Sequence, residues 1–424
     1  MSTIDALKNR EETVWLNPNL KSVEPMEKVN GYGYVYMKAA QSRLQRFMPL
    51  MEKLFPETAD RKGLIESPLI EAPEVKDWMN AHGAKVSGRV FIKDDAHLPI
   101  AGSVKARGGI HEVLAIAERL AMQAGLMTPA EDHSRMDAPE FRELFGQYTI
   151  QVGSTGNLGI SIGRTAARLG FQVIVHMSSE AKEWKKQLLR SEGVTVKEYD
   201  TDYTQAVAAG RAAAEADEKS FFIDDENSRD LFFGYSTAAL RLKSQMRRMG
   251  IIIGEHHPVF IYLPCGVGGA PAGITFGMKQ IFVDDAHCFF AEPTEAPCFT
   301  LGMASGKRNE ICVQEIGLSG KTIADGLAVG RPSGFACSMM DTLMSGSFTV
   351  ADEKLLAYQK MVQELTGLYL EPSACVGFKA LEDFERPGTE WERYLKNQQL
   401  AEDMANATHI IWATGGGLVP EEER

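Results

Sequence analysis

Lys105 stands inside HLPIAGSVKARGGI, His97 to Ile110, and its neighbours set it apart from the other lysines. Most lysines are solvated surface charges; Lys185 and Lys186, on a helix with a polar face, read that way. Lys105 follows the small residues Ala101, Gly102 and Ser103, just past a strand-like run, and an apolar helical pattern comes after it. A lysine so placed can be desolvated and can form a Schiff base with a carbonyl compound.

Three further loops carry chemistry. GSTGNLG, Gly153 to Gly159, joins a strand to a helix. Its Ser154, Thr155 and Asn157 either cap that helix or, with the free backbone N–H groups of the helix start, bind a carboxylate or phosphate. PCGVGGAPAG, Pro264 to Gly273, also follows an apolar strand. Gly266, Gly268 and Gly269 let the backbone wrap closely around an anion, and no Lys-Ser/Thr pair makes it a Walker loop. In WATGGG, Trp412 to Gly417, Thr414 either closes a turn or bonds a ligand nitrogen.

The elements that must position these loops follow a regular order. GRVFIKDD, YTIQVG, QVIVHM, TVKEYD, SFFIDD, VFIYLPCG, AHCFFAEP and THIIWA read as strands, most of them separated by helical stretches. RDLFFGYSTAALRLKSQMRRMG reads as one long helix. Residues 1 to about 90 are mostly helical in pattern and broken by prolines, and residues 126–147 look like a polar excursion. Such alternation predicts α/β architecture, with mostly parallel sheets flanked by helices. In these sheets ligands gather beyond the carboxyl ends of the strands, where all four loops lie.

The 424 residues allow one large or two medium domains. With 45 Lys and Arg against 57 Asp and Glu, the formal net charge is −12, which argues against nucleic acid or anionic membranes as partners. No apolar run reaches bilayer-spanning length. The N-terminal MSTIDALKNREETVW lacks a signal peptide's apolar core, so a cytoplasmic protein is expected. The six cysteines form no C-x-x-C pair and read as reduced, buried thiols. The nine histidines show no metal-binding spacing.

Together the four loops resemble the fold type II pyridoxal-phosphate enzymes, the serine and threonine dehydratase group. That family's lysine loop reads G-S-F-K-x-R-G; here it is GSVKARG, with Val104 in place of Phe. TIADGLAV (Thr322 to Val329) and LEPSACVG (Leu370 to Gly377) look like further family segments. Within the group, the bacterial D-serine dehydratases (D-serine ammonia-lyases) are similar over nearly the whole chain. HLPIAGSVKARGGI, GSTGNLG, FFIDDENSR, LPCGVGG, FFAEPT, WATGGGLVPEE and the long N-terminal region carry that similarity. Three features depart from the pattern. Ala270 interrupts the glycine run, Leu98-Pro99 replaces Gln-Pro ahead of the lysine, and the resembling proteins continue past VPEEER through a short tail.

The resemblance implies the tryptophan synthase β-like fold. Residues 1–110 and 240–424 would form a large cofactor-binding domain, and residues 111–239 a small domain carrying the Ser-Thr-Gly-Asn loop. Lys105 would hold pyridoxal 5'-phosphate covalently. Gly266, Val267, Gly268 and Gly269 would cradle its phosphate, Asn157 would bond the ring hydroxyl, and Thr414 would meet the pyridine nitrogen. Ser154 and Thr155 would take the substrate carboxylate. Lys105, Thr155 and Asp225 are the candidates for moving protons. Asp225, at the end of SFFIDD, would contact the substrate hydroxyl or amine, or else serve as a helix cap ahead of ENSRD. Glu292 in FFAEPT would ligate a potassium ion or serve as a buried ion-pair partner.

The implied reaction is β-elimination of D-serine to pyruvate and ammonia, with D-threonine as a secondary substrate. The alternative is an L-serine or L-threonine dehydratase of the same fold. A dinucleotide-dependent oxidoreductase lacks its G-x-G-x-x-G here. Retention of Lys105, Asn157 and Thr414 argues against a non-catalytic binding protein. The sequence leaves the oligomeric state open, a monomer included.

Overall fold

The structure, a computed structural model, describes residues 2–154, 156–200 and 203–424. Among the described residues eleven strands run along the chain. The first seven are β1 (Val14–Leu16), β2 (Leu69–Glu71), β3 (Arg89–Asp94), β4 (Thr149–Gly153), β5 (Gln172–Ser178), β6 (Thr195–Tyr199) and β7 (Ser220–Ile223). The last four are β8 (Val259–Pro264), β9 (Ala286–Pro293), β10 (Gly346–Val350) and β11 (Thr408–Ala413). They form two sheets, in the orders β1-β10-β9-β8-β11-β3-β2 and β6-β5-β4-β7.

The chain divides into two compact units. The first comprises Met1–Val35, Ser67–Ala96 and Tyr235–Gly417 and holds the seven-stranded sheet. Every residue of β8, β9 and β11 is buried. That fits interior parallel strands covered on both faces, which need continuous rather than alternating apolar runs. One core cluster spans Ile92, Phe260, Phe289, Phe348, Trp391 and Ile411. The edge pairs β1–β10 and β2–β3 are antiparallel. β1, β2 and β10 escape the sequence reading: two are three-residue edge segments with no usable periodicity.

The second unit comprises Tyr36–Glu66, His97–Gly234 and Leu418–Arg424 and holds the four-stranded sheet, all of whose pairs are parallel. Residues 36–66 and the Lys105 loop, expected with the larger domain, group with this smaller unit. Helix Lys105–Gln123 packs on helix Asn157–Leu169 so closely that a Cβ on Gly109 would lie 2.6 Å from Ser161 Oγ.

The polar stretch 126–147 is not an excursion. Phe141 and Phe145 are fully buried, and His133 Nε2 bonds Glu118 at 2.9 Å. Arg135, Glu140, Arg142 and Glu143 are exposed, but Phe141, Phe145 and His133 between them are buried, which a composition-based reading averages away. The expected long helix is interrupted at Thr237, giving Arg229–Ser236 and Ala238–Arg248. Among the described residues no helix is long and apolar enough to cross a membrane.

Candidate active site

The expected site residues fall in both units. In the second unit the chain turns after Asp95–His97 through Ile100, a β-branched residue at φ 76°. Such a residue in left-handed conformation is strained and persists only where its surroundings enforce it; Ile100 O accepts from Arg164 Nη1. Lys105 is the first residue of its helix. Its backbone carbonyl accepts from Ser161 Oγ at 2.9 Å, and its side chain is 23% exposed. Nearby Arg107 is buried and paired with Glu66 at 2.6 Å. Ser103 Oγ is buried without a hydrogen-bond partner.

Lys105 Nζ donates to Asp225 Oδ2 at 2.8 Å, and the carboxylate is 7% exposed. Asp225 Oδ1 is buried and unpartnered. The turn is held by the adjacent Asp224, whose oxygens accept from Glu226 N, Arg211 Nη2 and Asn227 Nδ2. The helix cap is Ser228, whose Oγ accepts from Leu231 N. Ser228 Oγ also donates to Glu112 Oε2 at 2.7 Å. Burial, with Asp230, Asp224 and Asp225 around it, pushes the Glu112 carboxyl up to about 8.

The Ser-Thr-Gly-Asn loop leaves β4 and opens helix Asn157–Leu169. Ser154 Oγ accepts from Gly156 N at 3.0 Å and Gly159 N at 2.9 Å, so it shapes the loop and keeps its O–H for donation. Thr155 lies outside the described residues. Lys185 and Lys186, read as solvated charges, are each only 3% exposed. Lys186 Nζ donates to Ser179 O and Glu198 Oε2, so that side chain is turned inward onto its acceptors.

In the first unit, β8 runs into Cys265, Gly266 and helix Gly269–Phe282. Gly268 has φ 105°, and a Cβ there would lie 2.4 Å from Phe299 Cε2, so only glycine fits. Two carbonyls of the loop are engaged: Gly266 O by Cys298 Sγ and Val267 O by Ser333 N. Among the described residues, the N–H groups of Gly266 to Gly269 have no protein acceptor outside the helix. That is a donor cup for an anion at a helix N-terminus.

Beside it lie the two other family-like segments. A Cβ on Gly266 would be 3.2 Å from Gly326 O, Gly326 N donates to Ser373 Oγ, and Glu371 N donates to Gly415 O. Thr414 follows β11, half-buried, and its hydroxyl has no protein partner among the described residues. The strand end that carries it is tied down by Trp412 Nε1, which donates to Asp95 Oδ2 at 2.8 Å. Ser67 Oγ donates to the other Asp95 oxygen at 2.6 Å.

Glu292, on β9, is fully buried. Its carboxylate accepts from Phe299 N, Thr300 N and Thr300 Oγ1, capping helix Cys298–Ala304. Burial pushes it up to about 7. Among the described residues no group of three or more His, Cys, Asp or Glu is placed to hold a metal ion.

A family model described as pyridoxal-phosphate dependent enzyme matches residues 61–392. The chain belongs to this family. Among its relatives, a probable D-serine dehydratase of Bacillus cereus (strain AH187) is 49% identical, covering 97% of this chain and 92% of that one. Another, of Halalkalibacterium halodurans, is 51% identical, covering 97% and 93%. In fold the chain is similar to diaminopropionate ammonia lyase from Escherichia coli in complex with D-serine, at 17% identity and TM-score 0.70, covering 96% of this chain and 95% of that one. It is also similar to the processed form of threonine deaminase isoform 2 from Solanum lycopersicum, at 20% identity and TM-score 0.59, covering 96% and 94%. The architecture is that of the fold type II enzymes.

The residues fit the family's cofactor. Lys105 offers an amine for its aldehyde, the Gly266–Gly269 cup offers N–H donors for its phosphate, and Thr414 offers an unengaged hydroxyl. Ser103 Oγ and Asp225 Oδ1 are buried polar atoms awaiting partners. Sequence reasoning missed Glu112, Asp95 and the burial of Lys185. An acid in an apolar helix, seven residues from Lys105, was the signal available for the first.

Proposed function

We propose that the chain catalyses β-elimination of D-serine to pyruvate and ammonia, as a cytoplasmic pyridoxal-phosphate enzyme. The observation that carries this reading is the Lys105 Nζ–Asp225 Oδ2 contact of 2.8 Å. It occurs in a chain 48% to 51% identical, over nearly its full length, to proteins named probable D-serine dehydratase.

Lys105 holds the cofactor, Gly266, Val267, Gly268 and Gly269 hold its phosphate, Asn157 its ring hydroxyl and Thr414 its ring nitrogen. When bound, pyridoxal phosphate supplies the electron sink that makes the Cα proton removable. Ser154 and Thr155, at the start of helix Asn157–Leu169, orient the substrate carboxylate. Lys105 Nζ moves the Cα proton, and Asp225 holds the lysine in place and passes a proton across their hydrogen bond. A hydroxyl is a poor leaving group, and Asp225 Oδ1, unpartnered in the protein, is the atom available to steer it.

The test is pyruvate formation by the purified, cofactor-loaded protein from D-serine and, separately, from L-serine. Turnover of the D-enantiomer is expected, with Lys105→Ala abolishing both turnover and the cofactor's visible absorbance band. Preference for L-serine would overturn the substrate assignment in favour of the L-dehydratase reading. Near-normal turnover in Lys105→Ala would overturn the role of the lysine.

A further inference from the structure

Helix Lys105–Gln123 carries Lys105 at its first position and Glu112 seven residues later. Seven residues are two helical turns, so both side chains lie on one face, about 10.5 Å apart along the axis. The segment that follows β7 docks on this helix at successive points. Asp225 Oδ2 meets Lys105 Nζ at 2.8 Å, Ser228 Oγ meets Glu112 Oε2 at 2.7 Å and Asp230 O meets His111 Nδ1 at 2.8 Å. Farther on, a Cβ at Gly234 would lie 2.8 Å from Arg107 O, so the helix Arg229–Ser236 meets the lysine helix backbone to backbone. Between the first two contacts the chain is a closed turn. Ser228 N donates to Asp224 O at 2.9 Å, and Asn227 N to the same oxygen at 3.4 Å. Asp225 thus sits inside a turn whose far end is Ser228. Ser228 Oγ accepts from Leu231 N, which leaves its single O–H for Glu112.

We infer that Glu112 is a positioning residue: through Ser228 it fixes the turn that holds Asp225 against Lys105. The inference rests on the roles proposed for that pair. Glu112 is 9% exposed, and among the described residues its carboxyl has one hydrogen bond, the one from Ser228. Asp224 and Asp225 meet cations, Arg211 and Lys105; Glu112 has no ion pair among the described residues. Asp224, Asp225 and Asp230 lie around it, and its burial keeps the proton on the carboxyl up to about 8. A neutral carboxyl accepts from Ser228 as an amide would. It adds no second negative charge beside Asp225, so the charge opposite Lys105 stays with Asp225. Without this acceptor the Ser228 O–H would lose its partner. The turn would then be held on the helix only by Asp225 itself and by the Asp230 carbonyl.

The experiment reads kcat/KM for D-serine and, without substrate, the visible absorbance band of the cofactor-loaded protein. Glu112→Met keeps the bulk and the helix propensity and removes the acceptor. It should lower kcat/KM by about tenfold to a hundredfold, mostly in kcat, since misplacing a reacting group by about 1 Å costs that much. Glu112→Gln restores the acceptor and should recover most of the loss. In an Asp225→Asn background Glu112→Met should cost nothing further, because changes that act through one group do not add. The band should move in Glu112→Met as it moves in Asp225→Asn. Full additivity with Asp225→Asn, a loss in Glu112→Gln equal to that in Glu112→Met, or a wild-type band in Glu112→Met would each overturn the inference and leave Glu112 a packing residue. Should Glu112→Met fail to fold, Ser228→Ala removes the donor instead, and wild-type kinetics and band there overturn the inference equally. A protein that does not turn over D-serine would overturn the proposed function, while its band would still decide whether Glu112 acts on Asp225.

Discussion

At the scale of the residue, the informative contrast is between the adjacent carboxylates Asp224 and Asp225. Both end the same strand segment and both suit a turn. Asp224 spends its oxygens on Glu226 N, Arg211 and Asn227, whereas Asp225 gives one oxygen to Lys105 and leaves the other buried and unpartnered. An unpartnered buried carboxylate oxygen is costly, so its retention makes sense where a ligand completes it. Asp225→Asn keeps the shape and removes the charge that faces Lys105 Nζ. The expected outcome is a fall of about tenfold or more in kcat/KM for D-serine, with the circular dichroism spectrum and melting temperature near wild type. An unchanged kcat/KM would show that Lys105 needs no carboxylate beside it.

At the scale of the element, strands followed by glycine-containing loops were legible because each carries two signals at once. A continuous apolar run marks a strand covered on both faces, and the small residues after it mark a place where backbone comes close to something. β8 with Gly266 to Gly269, β4 with Gly153 to Gly159 and β11 with Thr414 all read that way. What was not legible depends on partners distant in sequence. Lys185 reads as solvated because its neighbours are polar, and only the fold brings Gly156 against it. Asp95 looks like one more acid until β11 delivers Trp412 to it, 317 residues away. The glycine loop offers the sharpest test at this scale. Gly268→Ala must place a methyl within 2.4 Å of Phe299 at φ 105°. Cofactor affinity, titrated by absorbance, is expected to fall by about tenfold or more, with a melting temperature several degrees lower from strain. Affinity at the wild-type level would mean that the loop's N–H groups are not what holds the phosphate.

At the scale of the whole molecule, buried titrating groups set how stability varies with pH. Burial pushes His111 and His176 down to about 4 and His409 down to about 3, from 6.5. Between those values and 6.5 the unfolded chain binds more protons than the folded one, so these histidines make stability rise with pH. Glu112 and Glu292 act in the opposite sense. Burial raises them from 4.5 to about 8 and about 7, and over that window the folded chain holds the extra proton, so stability falls as pH rises. Where the windows overlap, these histidines and His287, which burial also lowers, oppose Glu112, Glu292 and the raised Glu226 and Asp285; above 6.5 the histidines drop out and Glu112 and Glu292 still act. At the low end Glu118, held to about 2 despite its burial by His133, Arg43 and Arg46, adds to the loss once pH drops below 4.5. The melting temperature of the cofactor-free protein should therefore decline from roughly pH 6.5 toward about pH 8 and drop steeply below about pH 4.5. Glu112→Gln keeps a hydrogen-bonding group beside Ser228 but cannot titrate, so it should flatten the alkaline decline, make stability climb more steeply with pH between about 4.5 and 6.5, and leave the loss below about pH 4.5 unchanged. A melting temperature that keeps rising to pH 8 in the wild type would show that Glu112 and Glu292 ionise in the folded chain as readily as in the unfolded one.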